Sequence, residues 1–493
     1  MNRRALLLLS LSSLAACDVK GRLEAKVEDE IEDIVDGAAD AGATGEVDSE
    51  LVPEWVDDTG ALVFPDLGGD EPPPAEAPVV YPDSLTLTTA ADLAEFCDTY
   101  DAIEGDLTLG GALTDLNGLD CLTSVSGALT IGGPALASTA GLTGLRHVGG
   151  DLVISGPALS TIDGFEALVE VEGDLIITDA AALSSLSGLG TLGFVSGDLT
   201  VQDLPALTDF AGFDGLIGVT GTLTLSGLSA LSTAPAFPAI TGINGLVVED
   251  TGLACPAFPA LQTASSILLS GCGDATVELF PELEAVAGDL SLDLGPTVTA
   301  LTVAPSLQAA GSLSITTEGA ATIDGLDALS QVNGALDLSE NLALTALPAF
   351  SALTVVNGDL SLTWNPALAD LSGLGALRVV RGDLILDHNR YVTGLSALAS
   401  LDTVNGDLVL SNMTRLSTLD GIAGLSTLGG SLRVDTNVQL ISVSGLSTLG
   451  AVPGDFTITN NPWLKTSKAE ALRDSIGTAD IGGAITISGN AAG

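Results

Sequence analysis

Basic side chains are scarce in this chain: 14 Lys and Arg stand against 64 Asp and Glu, a formal charge of −50 at pH 7. Binding to phosphates by charge needs clustered Lys and Arg, so nucleic acid and anionic lipid surfaces are excluded as electrostatic partners. Aromatics make up only 3% of the residues, so the core has to be built from Leu, Val, Ile and Ala. His147 and His388 are the two histidines, and they lie far apart in sequence. No nucleophile motif, phosphate loop or His-Glu metal signature is present. Catalysis therefore has little to work with.

What is present begins with a basic head (Arg3, Arg4), an apolar run from Ala5 to Leu14 broken by serines, and Leu14-Ala15-Ala16-Cys17. Such a pattern describes a secretory signal over 1–16, too short to span a bilayer stably. The Leu-Ala-Ala-Cys segment resembles the lipobox of bacterial lipoproteins. That resemblance implies cleavage before Cys17 and acylation of Cys17, giving a membrane anchor of two or three chains. Asp18 is similar to the enterobacterial signal for retention on the inner membrane, a rule other bacterial groups do not follow. The expected location is the cell envelope, with the outer membrane or cell surface favoured and the periplasmic face of the inner membrane as the alternative.

Residues 17–80 read as an acidic tether. From 18 to 80 there are 19 acidic residues, three basic residues and prolines at 53, 65, 72, 73, 74 and 78. High charge with low hydrophobicity predicts disorder. Leu23, Val27, Ile31, Ile34 and Val35 recur at helical spacing, so a short helix is expected within 21–35. A flexible chain of about 60 residues reaches roughly 45 Å.

From residue 103 one phrase repeats: aliphatic, any residue, Gly, any residue, then an alternating aliphatic pair. Ile103-Glu-Gly-Asp-Leu-Thr-Leu109, Val148-Gly-Gly-Asp-Leu-Val-Ile154, Val286-Ala-Gly-Asp-Leu-Ser-Leu292 and Val404-Asn-Gly-Asp-Leu-Val-Leu410 are four copies. The repeat glycines fall 22 to 24 residues apart, with degenerate copies at Gly245-Leu-Val-Val and Ser266-Ile-Leu-Leu. A fixed period of this size signals a solenoid. Each Leu-x-Leu is a strand with both aliphatic side chains on one face, which buries nothing until it stacks on its copies. The prediction is an all-β, right-handed parallel β-solenoid of about 17 coils over 103–462. Short helical caps are expected at 81–102 (Asp92 to Tyr100) and 463–493 (Lys465 to Ile476).

In the C-terminal half the strand continues as Leu-x-Leu-x-x-Asn-x-x-Leu, with Asn341, Asn365, Asn389, Asn437, Asn461 and Asn490 in the same place. An inward amide there can bond the backbone of adjacent coils as a ladder. This phrase resembles the leucine-rich-repeat strand and, with the preceding Val-x-Gly, the receptor L-domain family of ligand-binding lobes. The resemblance implies a β-helical fold and ligand recognition. Ala112, Pro134 and Pro157 replace the Asn in the N-terminal half, so a uniform ladder is not expected there.

Four further cysteines in an exported chain suggest disulfides, and the pairs expected are Cys97–Cys121 and Cys255–Cys272. Their spacing fits no zinc signature. Asp follows the repeat Gly at nine positions, including Asp359, Asp383 and Asp407. Aligned on stacked coils they form a ladder of like charge, either solvated or weakly bridged by Ca²⁺. No other cofactor is expected.

Eight of the nine basic residues in the repeats lie after residue 377, with Trp364, Tyr391 and Trp463 nearby. Trp364 and His388, 24 residues apart, should meet on adjacent coils. With Arg390, Tyr391 and Arg415 they form a candidate patch for a protein or glycan partner. Arg381-Gly382-Asp383 spells an integrin-type tripeptide but straddles a strand start. The functional expectation is non-catalytic recognition or adhesion by a tethered, monomeric solenoid. An envelope spacer and, further off, a polysaccharide-active β-helix enzyme are the alternatives.

Overall fold

The computed structural model describes residues 78–231, 235–252, 255–271 and 274–492. The signal segment, Cys17, the acidic tether to residue 77 and the helix expected within 21–35 lie outside them. So does Cys272.

The repeats fold as a parallel β-solenoid of about 16 turns, against about 17 coils counted from the phrases. Each regular coil contributes two strands separated by the Gly-Asp pair, such as Val355–Val356 and Leu360–Thr363. Both stack in register on the same residues one repeat later. Leu360 pairs with Leu384, Leu384 with Leu408, Leu408 with Leu432, and Leu432 with Phe456. Val356, Val380, Val404 and Leu428 form a second column in the same way. Period-two alternation sends these side chains inward, where they are buried. Full burial stabilises each by about 1.5–3 kcal/mol. A 3₁₀ turn such as Ser372–Leu374 or Ser396–Leu398 closes the coil and adds Leu374 or Leu398 to the core.

The repeat Gly is required by close approach. A Cβ on Gly382 would lie 2.0 Å from Asp359 Oδ1 and 2.7 Å from the Asp359 backbone nitrogen of the preceding coil. Coil stacking leaves no room there for any side chain.

The degenerate middle has a different cross-section. Strands Gly218–Ser226, Gly242–Glu249, Thr263–Ser270, Ala285–Leu294 and Ala309–Thr317 run through the repeat position without a break. A separate three-stranded sheet joins Thr276–Glu278, Ala300–Thr302 and Thr322–Asp324. Phe237, Phe258 and Phe280 fill the interior, with Phe237 and Phe258 stacked at 4.8 Å. The bulkier ring occupies the corner where regular coils place a 3₁₀ turn.

At the N-terminal end, Val80–Tyr81 and Leu85–Leu87 already pair with Ala102–Ile103 and Leu107–Leu109. The segment 81–102 thus supplies strands as well as a helix. That helix, α1, spans Ala90–Cys97 and starts earlier than the expected Asp92 because Thr89 and Asp92 form a capping box. Its Leu93 and Phe96 are buried, and Cys97–Cys121 staples it to the next coil with Cα atoms 5.7 Å apart. At the other end α2, Thr466–Ile476, buries Ala469, Leu472 and Ile476. Among the described residues no helix is long and apolar enough to cross a membrane.

Candidate functional site

The inner face of the coil turn is built first. Asn365 Nδ2 donates to Leu338 O and its Oδ1 accepts from the Asn341 backbone N–H; Asn389, one coil on, does the same for Leu362 O and Asn365 N. Asn437, Asn461 and Asn490 continue the pattern, and Met413 interrupts it. In the N-terminal half Ala180 and Leu204 fill the position with apolar groups.

To aim Asn inward, the preceding residue turns the chain through a left-handed conformation. Trp364 and His388 have φ of 57°, Asn412 and Asn460 54°, and Thr436 58°. Their backbone N–H groups donate to the next coil, as Trp364 does to Asp387 O and His388 to Ser411 O. Left-handed backbone costs a residue with a Cβ about 1–2 kcal/mol, least for Asn and Asp. Trp364 and His388 are therefore expensive occupants, and their side chains stand out on the surface.

The 24-residue register stacks them. Their ring centroids are 3.9 Å apart and their planes differ by 10°. His388 Nδ1 lies 2.8 Å from Asp387 Oδ2, while Asp387 Oδ1 accepts from Ser411 Oγ at 2.7 Å and Asn412 Nδ2 at 2.8 Å. Partial burial pushes the Asp387 carboxyl up, but hydrogen bonds from Asn412, Ser411 and His388 and the charge of His388 outweigh it, and its pKa falls below the ordinary value. Two coils further, Asp435 is held the same way: burial opposes, and Thr459, Asn460 and Arg433 prevail.

Tyr391 lies beside this pair. The Arg415 guanidinium carbon sits 4.1 Å from its ring centroid and that of Arg390 5.4 Å. Arg390 Nε also donates to Pro366 O at 3.1 Å, which carries its guanidinium back onto the coil of Trp364. All five residues singled out in the sequence, Trp364, His388, Arg390, Tyr391 and Arg415, thus fall on one turn face. The patch is continuous.

Three apolar neighbours were not singled out. Leu342, Val438 and Ile441 lie on the same turn face and are exposed, as is Trp463 at 65%. Six of the eleven exposed large hydrophobics, with Trp364 at 53% and Tyr391 at 37%, are gathered on this one edge. Writing the repeats in a 24-residue register shows them as outward positions, because each follows the same inward Asn.

No protein-family model matches the chain, and no curated protein matches it. The site is therefore read from its own geometry.

The Asp column has a structural task. Asp359 Oδ1 accepts the Asp383 N–H, Asp383 Oδ1 the Asp407 N–H, and Asp407 Oδ1 the Ser431 N–H, all at 2.6–2.7 Å. Asp106, Asp151, Asp174, Asp198 and Asp455 make the equivalent bond. Each carboxylate covers a backbone donor that the Gly leaves accessible. Among the described residues no group of three or more His, Cys, Asp or Glu side chains is placed to hold a metal ion. In Arg381-Gly382-Asp383 the Asp is committed to this ladder. Cys255 is disulfide-bonded, and its expected partner Cys272 lies outside the described residues. His147 is far from the patch in the fold as in sequence, with Nε2 3.7 Å from Glu172 Oε1. The largest surface depression near the C-terminal half, about 310 Å³, is lined by Leu347, Phe350 and small residues.

Proposed function

We propose that this chain is a lipid-anchored envelope protein that recognises or adheres to a partner through the turn-face stripe, without a chemical step. The lipobox-like Leu14-Ala15-Ala16-Cys17 supports anchoring at Cys17, and the acidic segment that follows supports a tether. The observation that carries the recognition reading is the stripe itself. Exposed Trp, Tyr and Arg on rigid backbone are the residues that dominate binding energies at interfaces, and a contiguous apolar edge is unusual on a free surface. Here it occurs on a chain whose other outward residues are mostly acidic or small. The similarity of the repeats to receptor L-domains points the same way, toward a solenoid used as a binding surface.

The test is adhesion by cells that lack the chain and are complemented with variants. Wild type should restore attachment, and Trp364→Ala/Tyr391→Ala/Trp463→Ala should not, at equal surface abundance. Full rescue by the triple variant would retire the stripe and favour an envelope spacer. Labelling with radioactive palmitate, lost in Cys17→Ser, checks the anchor.

A further inference from the structure

Two cations in the stripe are left free by a chain rich in possible partners. Arg378, Arg433 and Arg473 each reach a carboxylate, on Asp402, Asp435 and Asp474. Arg390 and Arg415 form no ion pair among the described residues and lie instead against Tyr391. With 64 acidic side chains available, guanidinium groups held apart from all of them form an anion receptor. Trp364 extends it with an exposed indole stiffened by the His388 stack.

We propose that this cluster binds a sugar bearing a single carboxylate, of the uronic acid class. The pyranose C–H face lies on Trp364, and the carboxylate lies in the guanidinium forks of Arg390 and Arg415. The proposal rests on the stripe being the recognition surface. A planar fork suits a carboxylate. The charge of −50 repels a dense polyanion but tolerates one isolated anion beside two cations. An extended acidic peptide is less well served, because strand addition needs free backbone groups. On this face the Trp364, His388 and Asn412 amides already donate to Asp387, Ser411 and Asp435 of the next coil. Recognition is left to side-chain faces and forks, which match a ring with a charged substituent.

The experiment is ¹⁹F NMR of the full chain labelled with 5-fluorotryptophan, with the Trp364 signal assigned by Trp364→Phe. The probes are D-glucuronate, D-glucose and N-acetyl-L-glutamate. Glucuronate should shift the Trp364 signal saturably. Glucose and acetylglutamate should bind weaker by roughly tenfold or more, each lacking one of the two interactions. Arg390→Ala/Arg415→Ala should lose the glucuronate response by a similar factor. Arg390→Lys/Arg415→Lys, which keeps the charge and the packing stems, should weaken it and guards against misfolding. Three results would each overturn the assignment: no shift with glucuronate, equal response to acetylglutamate, or an unchanged response in both double variants. The first of these combined with loss of adhesion in the Trp364/Tyr391/Trp463 variant would leave the recognition surface standing with a different ligand.

Discussion

Trp364 and His388 stack face to face at 3.9 Å although they are 24 residues apart. The contact follows from coil geometry. Strands in a parallel sheet lie about 4.8 Å apart, close to the thickness of two aromatic rings in contact, and both residues leave the sheet at the same left-handed turn. The pairing is therefore preorganised, and its removal should expose Trp364 without disturbing the coil. In a Trp55→Phe/Trp463→Phe background, His388→Ala should raise acrylamide quenching of Trp364 while the melting temperature changes by less than about 3 °C, a surface-sized effect. Unchanged quenching would show that the stack is not formed in solution.

The inner amide ladder should matter far more than the outer acidic one. Asn365→Ala leaves the Asn341 N–H and Leu338 O without their buried partners, at a cost of roughly 2–4 kcal/mol. Asp359→Ala exposes the Asp383 N–H near the surface and should cost only about 1 kcal/mol, while Asp359→Asn keeps the acceptor and should be almost silent. Denaturant melts of the three variants give the order. An Asp359→Ala loss equal to that of Asn365→Ala would contradict it.

Acid should act through Asp387 and Asp435. Their folded pKa values are lowered, so the stability they contribute is present above the unfolded carboxylate value near 3.9 and is lost as pH falls through the folded values. Protonation of the many other acids also relieves self-repulsion, so the diagnostic is a difference between proteins. Asp387→Asn/Asp435→Asn should lose less stability than wild type between about pH 4 and pH 2. Parallel curves of melting temperature against pH would remove these two groups from the acid response.

Reduction of the N-terminal staple should have a local effect. Repeat coils touch only their neighbours, so Cys97→Ser/Cys121→Ser, which loses about 2–4 kcal/mol of constraint, should raise hydrogen exchange in α1 and the coils up to about Val125. Protection around Trp364 to Asn461 should not change. Loss of protection throughout the stack would show cooperativity beyond nearest neighbours.

Much of this architecture was legible in the residues. The Gly-x-Leu-x-Leu phrase names the inward positions, since only stacking can bury them, and Leu360, Leu384 and Leu408 pair as that phrase requires. The Asn positions were readable for the same reason: an amide among leucines has to find backbone partners. The Asp column was visible as a column but not as a set of caps. Its bond depends on Gly382 bringing the next coil's amide within reach of Asp359, a distance that no local pattern states.

The amino-acid order by itself determined the period, the inward ladders and the positions of the turns, because hydrophobic burial repeats wherever the phrase repeats. Only the stacked coils decided what the outward residues do. They placed Arg390 against Pro366, two guanidinium groups against Tyr391 and three aliphatic side chains along one edge. Outward side chains face water in either case, so their contacts follow from coil spacing and turn conformation, and these exist only in three dimensions.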